Sequence, residues 1–498
     1  MYITVSENEK NNIFHLLQAR AEENSLYGIR YLNLGVKIIR VLCYSQGIMA
    51  LIDKHLSYVS CSDMENFDST IIAWQEHSIQ NFSQVVCRQF PLKKQIQLRA
   101  EMLLSGRPCP IFYFVDNENG FSQNIGRVDG EQKCVEVFDD RNKIAYFGYY
   151  TYEPELFVEQ GHVFVRQINH LVKSDNVNLT HGAAFGLAGN GFLLCGQGKR
   201  GKSTLTVESL LQGFEYVSDD YQLIEKKGTE LFAYPVYSMI TLSSRMYNEM
   251  YDRFHGKFLC NNFTQEKYLF NISSYHSQFR TAYPIKFCLF PEIVADEHPG
   301  IVMCNPDEKG RAIVQMIYST LMQMNELGDR KTIKKLLSMI KDLPFIKFNL
   351  CNQISENTDY LRKYLSTLDL GTYIPEKLNA KIMDITFGLA IILDVEKCNF
   401  IAMNKFATNI FMMIRYGVDY DRIKEYLSQF EKNNSQILDE FDDFVKLLED
   451  RHFNMLSIKH YSNVQFMPEY ARKSGYKLSV LEYIDNQTIE LVKAGDKI

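Results

Sequence analysis

No stretch of this 498-residue chain approaches the roughly 18 uninterrupted apolar residues that a bilayer-spanning helix needs, so a membrane-embedded role is not expected. The first 17 residues, MYITVSENEKNNIFHLL, have no basic segment ahead of an apolar run and do not read as a signal peptide. Eleven cysteines are present, but none forms a CxxC pair or sits beside a His pair at zinc-ligand spacing, which argues against a zinc module and for reduced thiols. An excess of positive charge is missing too. A formal net charge of −6 gives no general electrostatic reason to bind nucleic acid or an anionic membrane. Internal repeats and low-complexity segments are absent. Together these absences describe a soluble, cytoplasmic protein, with homo-oligomerisation left open.

What is there is an average globular composition, 46% hydrophobic and 23% charged, in a chain long enough for two or three domains, each with its own core. The part up to residue 135 mixes a helical start, Ile13 to Leu26, with β-branched runs such as Val36 to Tyr44, and reads as an α/β accessory region. Residues 136–370 form a second α/β block ending in two helical patterns, Arg311 to Leu327 and Lys331 to Ile340. The Gly-, Pro- and polar-rich segment 371–380 reads as a linker. Three short apolar runs follow, Ile382 to Phe387, Leu389 to Val395 and Cys398 to Met403, and then three amphipathic helices, Lys405 to Arg415, Tyr420 to Phe430 and Gln436 to Asp450. Residues 458–498 carry no interpretable motif.

The sharpest signal is Gly196-Gln197-Gly198-Lys199-Arg200-Gly201-Lys202-Ser203, which fits G-x-x-x-x-G-K-[ST] at every fixed position. An apolar run, Phe192 to Cys195, precedes it, and a helical pattern, Thr204 to Leu211, follows and ends at Gly213. A strand, a glycine loop and a helix in that order turn backbone N–H groups and a helix N-terminus toward phosphate. Lys202 would then reach the β and γ oxygens of ATP, and Ser203 would ligate Mg²⁺. Lys199 and Arg200 carry less information, since basic loop residues are usually just solvated. Beyond a second apolar run, Phe214 to Val217, stand Asp219 and Asp220. Two carboxylates at a strand end beside such a loop suit metal binding and proton abstraction, in either order. His181-Gly182 lies ahead of the loop strand.

These residues resemble the HPr kinase/phosphorylase group and its shorter relatives encoded with peptide natural-product enzymes. The shared strings are HGA at 181–183, GKSTL at 201–205 and SDD at 218–220. The resemblance implies that Asp219 and Asp220 serve as catalytic base and metal ligand, that His181 supports the base, and that Arg280 is the arginine contacting phosphate. The glutamate-containing signature of HPr kinases has no counterpart in 234–250, which argues against HPr as the acceptor.

Residues 379–457 resemble PqqD-like domains, which are winged-helix-like modules that bind the leader of ribosomally made precursor peptides. The string ILDVEKCNFIAMNKFATNIF, 392–411, carries the likeness, with Met403-Asn404 at the family's Leu-Asn position. In that family a peptide adds as a strand to a sheet edge. The implied edge is 398–403 and the implied flanking helix 436–450, with Phe441 and Phe444 either core residues or peptide contacts. The expectation is thus an α/β, P-loop kinase core of HPr kinase type with an N-terminal accessory region, residues 1–135, and a PqqD-type domain, residues 381–457. It would phosphorylate a Ser or Thr of a precursor peptide. A small-molecule alcohol or a carrier protein as acceptor, and a non-catalytic nucleotide-switched binder, are the alternatives.

Overall fold

Ser6 sets the start of the first helix. In the computed structural model its side chain accepts the backbone N–H of Glu9, while the Glu9 carboxylate accepts the Ser6 backbone N–H at 2.7 Å. This reciprocal cap begins the helix at Glu7, ahead of the Ile13 that apolar spacing suggests, and helix Glu7–Glu22 ends short of Leu26. The structure describes residues 2–76, 112–116, 123–129, 134–149, 162–196, 198, 200–262, 267–294, 298–324, 326–367, 375, 377–386, 388–429, 434–453, 478–484 and 487–490. Half of the expected linker 371–380, residues 371–374 and 376, lies outside them. Two compact units emerge, one of residues 1–194, 201–301 and 348–368, the other of 195–200, 302–347 and 369–498.

The first unit opens with a nine-stranded mixed sheet in the order Tyr2–Val5, Phe112–Asp116, Gln123–Asp129, Cys134–Asp139, Ile144–Tyr149, Ser69–Gln75, Ile38–Tyr44, Gly28–Asn33 and Ser60–Cys61. Ile13, Leu17 and Ala21 of the first helix are fully buried against Ile72, Trp74, Val135 and Val137 of this sheet. The boundary expected at residue 135 falls inside strand Cys134–Asp139, and pairing continues through Ile144–Tyr149. Trp74, the single tryptophan, is fully buried and donates its indole N–H to Glu76 at 3.1 Å.

The second sheet carries the motif residues. Its strands are β1 (Val177–His181), β2 (Ala183–Leu187), β3 (Asn190–Leu194), β4 (Glu215–Ser218), β5 (Tyr221–Lys227), β6 (Glu230–Pro235) and β7 (Tyr283–Ile293), with helix α1 (Lys202–Leu211) between β3 and β4. They lie in the order β1-β5-β6-β7-β3-β2-β4; Phe345–Leu350 pairs with β7 and Gly300–Met303 pairs with Phe345–Leu350, which completes nine strands. Phe192, Leu193 and Leu194 of β3 are fully buried, as a continuous apolar run flanked by strands on both sides requires. A separate three-stranded sheet, Met239–Ser243, Lys267–Asn271 and Lys257–Asn262, follows in the same unit.

The other unit combines helices α2 (Pro306–Met324) and α3 (Arg330–Ile340) with a five-stranded antiparallel sheet. These two helices, expected in the catalytic block, thus group with the C-terminal residues. Gln315 of α2 donates to the buried Asp384 at 3.0 Å. The sheet runs β8 (Lys381–Thr386), β9 (Leu389–Asp394), β10 (Asn399–Met403), β11 (Val480–Ile484) and β12 (Gln487–Glu490). Helices α4 (Lys405–Arg415), α5 (Tyr420–Ser428) and α6 (Asn434–Asp450) lie close to the three helices read from the sequence. Phe441 and Phe444 of α6 are fully exposure-free and belong to the core with Ile392, Ile401 and Met403, where each such side chain contributes about 1.5–3 kcal/mol of burial. They are core residues.

One expectation is overturned here. Strand β10 is not a sheet edge, because β9 pairs on one side and β11 on the other, with Ile401 opposite both Ile392 and Glu482. The chain's own residues after 478 fill the position expected to receive a peptide strand. Glu482, 4% exposed, fixes that strand by accepting from Asn399 and pairing with Arg451 at 3.2 Å.

Candidate active site

Strand directions assemble the site. β2 runs antiparallel to both β3 and β4, so β3 and β4 are parallel and their C-terminal ends point the same way. Ala183 lies opposite Leu194 and Ala184 opposite Ser218, which brings the end of β3, where the phosphate loop begins, level with the end of β4, where Asp219 begins. Two strand spacings separate them, about 10 Å. His181 and Gly182 reach the same end from β1, since the chain turns there into the start of β2.

Gly182 shows why a glycine must follow the histidine. Its N–H donates to the Asp220 carbonyl at 2.8 Å, and a Cβ on it would sit 2.4 Å from the Leu194 carbonyl oxygen. Any side chain there would push the loop strand from the aspartate turn. Gly201 meets a second such demand. It is the N-cap of α1 at φ 90°, a left-handed conformation costly for other residues, and a Cβ would meet Leu350 at 2.6 Å. Helix α1 therefore begins at Lys202, two residues ahead of the expected Thr204, and Lys202 is 8% exposed while Ser203 and Thr204 are half-buried. Gly196, Gly198 and Arg200 lie on the approach to this turn, and Lys199 lies outside the described residues.

The aspartates sit on a tight backbone reversal. The Tyr221 N–H donates to the Asp219 carbonyl at 2.8 Å across Asp220, whose φ is 64°. A three-residue turn closed this way with a positive central φ is the rare, strained γ form, and aspartate is among the few residues that tolerate it. The turn sends the two carboxylates into different surroundings. Asp219 is 2% exposed, and among the described residues neither of its carboxylate oxygens has a hydrogen-bond partner of good geometry, although the Thr241 N–H and the Ser203 hydroxyl lie close enough to favour its anion. Burial, and then the neighbouring Asp220, push its carboxyl up to about 8 against those donors and Lys202. Asp220 keeps 21% of its side chain exposed. Burial pushes its carboxyl up, but His162, His181, Lys267 and Lys202 outweigh that and hold it below the ordinary carboxylate range. Both histidines are driven down to about 4, mainly by burial, and are neutral at physiological pH.

These shifts predict a pH-dependent stability with a definite sign. An acid with a raised folded value holds its proton more tightly folded than unfolded, so stability falls as pH rises between 3.8 and about 8. The histidines act in the opposite sense, but only below 6.5, where the unfolded chain begins to charge them. Between pH 6.5 and 8 Asp219 therefore acts without them. Thermal unfolding of the metal-free protein is expected to shift downward across that window by on the order of 1 kcal/mol per pH unit, and Asp219→Asn is expected to lose the slope. Equal slopes in the two proteins would remove the assignment.

Arg280 does not join this cluster. Its guanidinium pairs with Glu215 at 2.9 Å and donates to the Ser277 and Phe279 carbonyls, at the start of β4 rather than the end that carries Asp219. The residue that the resemblance assigns to phosphate is thus engaged with Glu215 in this structure. Two residues that sequence reading passed over are near the aspartates instead. His162 Nε2 lies 3.7 Å from Asp220 Oδ2, and Lys267 acts electrostatically on Asp220, His162 and His181. Neither sits in a recognisable string. Tyr237, in the stretch that lacks the glutamate signature, packs its ring 4.9 Å from His162.

The buried, unpartnered carboxylate oxygens of Asp219 beside Ser203 and Lys202 suit a hard cation held jointly with phosphate oxygens, as Mg²⁺ commonly is. Among the described residues no group of three or more His, Cys, Asp or Glu forms a metal cage of protein ligands alone. No helix among them is long and apolar enough to cross a membrane.

Neither a family model nor a curated protein matches the sequence. Among solved structures the chain is similar to the Hpr(Ser) kinase/phosphatase from Coxiella burnetii, at 10% identity and a TM-score of 0.21, over 38% of this chain and 97% of that one. The likeness is slight, and what the structure shows is a mixed α/β chain in which Lys202 and Ser203 open helix α1 after the glycine motif, with Asp219 and Asp220 at the end of β4.

Proposed function

We propose that the protein is an ATP-dependent phosphotransferase that moves the γ-phosphoryl group to a hydroxyl. The observation that carries this is the level alignment of the β3 and β4 ends, which sets Lys202 and Ser203 at the helix N-terminus across from Asp219 and Asp220. The N-terminus of α1 and the Lys202 ammonium bind and orient the phosphates. Ser203 and Asp219 would hold Mg²⁺, which supplies charge neutralisation on the phosphoryl oxygens when bound. Asp220, more exposed and kept anionic, takes the proton of the attacking hydroxyl as its oxygen bonds to the γ-phosphorus and ADP leaves with the β–γ bridging oxygen. The two aspartates thus divide the roles that their sequence order leaves open.

In the finer reading the acceptor is a Ser or Thr of a precursor peptide, held by the C-terminal unit. The order of three strands and three helices over 381–450 supports a recognition module. Docking by strand addition to β10 is no part of this reading, since β11 occupies that edge. Tethering would raise the local acceptor concentration without a strong active-site contact. The test is transfer of γ-labelled phosphate from Mg·ATP to leader-bearing peptides, leaderless peptides, a carrier protein and small alcohols. A gain of one phosphate that depends on the leader is the expected result. Transfer to small alcohols alone would move the acceptor to a metabolite. Nucleotide-dependent peptide binding without transfer would leave a switched binding protein.

A further inference from the structure

We propose that His162 is a positioning residue for Asp220, presenting its Nε2–H to the carboxylate so that the free oxygen faces the acceptor hydroxyl. This rests on the phosphotransferase reading and assigns a residue outside every motif of the chain.

The main chain alone does not aim the Asp220 carboxylate. As the central residue of a γ-turn at φ 64°, it does not inherit a side-chain direction from strand pleating, and its carbonyl accepts the Gly182 N–H. Its carboxylate needs a donor from elsewhere. His162 Nε2 is 3.7 Å from Oδ2, longer than a formed hydrogen bond but of the kind that shortens when a substrate closes the site.

The ring itself is immobilised. It stands edge-on to Tyr221 at 4.7 Å and 75° and to Tyr237 at 4.9 Å and 72°. The Tyr237 hydroxyl donates to the Val163 carbonyl at 2.9 Å, anchoring the adjoining residue, and Phe164 takes a left-handed φ of 63° to turn the chain into helix Val165–Val172. Two tyrosines and a strained backbone thus hold one imidazole against one carboxylate, as a built support does.

Protonation and tautomer agree with the role. A neutral ring has one N–H, and the adjacent carboxylate draws it to Nε2. That leaves Nδ1 as a bare acceptor, and Nδ1 is a buried atom without a hydrogen-bond partner among the described residues. Such a neutral donor orients the base without surrendering a full positive charge that would weaken it.

The experiment compares wild type, His162→Phe and His162→Gln in hydrolysis of γ-labelled Mg·ATP with water as the acceptor, together with KM for ATP and thermal unfolding. His162→Phe keeps the aromatic packing and removes the donor. It is expected to lower kcat by roughly 10- to 100-fold with KM for ATP within about twofold. His162→Gln, which restores an N–H at similar reach, is expected to recover much of the loss. Unchanged kcat in His162→Phe, equal losses in both variants, or unfolding of both would each overturn the assignment while leaving the kinase reading intact. A wild type that never releases labelled phosphate, with water or with any of the acceptors named above, overturns that reading and this inference with it.

Discussion

Replacement of Lys202 by alanine is expected to lower γ-phosphate transfer by about a thousandfold, with nucleotide affinity falling as well. Lys202 is 8% exposed at the first position of α1, and its charge reaches His181, Asp219 and Asp220. In so enclosed a place an ammonium acts through a lower effective dielectric than water, so its contribution to a developing phosphoryl charge is large. Its loss also leaves the two carboxylates closer to each other's repulsion, which lifts Asp219 further and opposes metal binding. Arginine is not a conservative replacement, because its planar fork does not fit where a compact point charge sits. Initial rates with labelled ATP and calorimetric titration with nucleotide check both parts. Transfer within tenfold of wild type in Lys202→Ala would show that the loop binds something other than the transferring phosphate.

The parts of this fold that were legible in the sequence are those where one local rule decides. The strand and helix on either side of the glycine motif follow from its fixed positions and the apolar runs beside it, and Met403-Asn404 has a local meaning, because the Asn404 side chain caps α4 by accepting the Ala407 N–H at 2.7 Å. The Ser6–Glu9 capping box is equally local, and it starts the helix at Glu7, ahead of the apolar spacing that begins at Ile13. What could not be read are the consequences of pairing between distant segments. Nothing in 478–490 announces a strand that closes the edge of β10; only the buried Glu482 meeting Asn399 and Arg451 reveals the match. The resemblance assigns Arg280 to phosphate, but no local string marks its partner, Glu215, which lies 65 residues earlier. His162 precedes Asp220 by 58 residues, and no spacing encodes their approach to 3.7 Å.

Asparagine at 220 and asparagine at 219 are expected to fail in different ways, and the difference tests the division of labour between them. Asp220→Asn keeps shape and removes the proton acceptor, so kcat is expected to fall by about a hundred- to a thousandfold while KM for ATP and the Mg²⁺ requirement stay near wild type. The turn itself should survive, because asparagine tolerates the φ of 64° that Asp220 adopts. Asp219→Asn instead removes a carboxylate whose oxygens are buried and unpartnered, and which the Ser203 hydroxyl favours as the anion. The metal-free protein should tolerate that change well, since an uncharged side chain replaces a carboxyl that burial already drives toward neutrality. The cost should appear in Mg²⁺ titrations, as a shift of half-maximal activity to higher metal concentration along with lower transfer. Single-turnover rates measured across a Mg²⁺ series in both variants separate the outcomes. If excess Mg²⁺ restores Asp220→Asn but not Asp219→Asn, the roles are reversed: the residue flanked by two histidines holds the metal, and the buried one is the base.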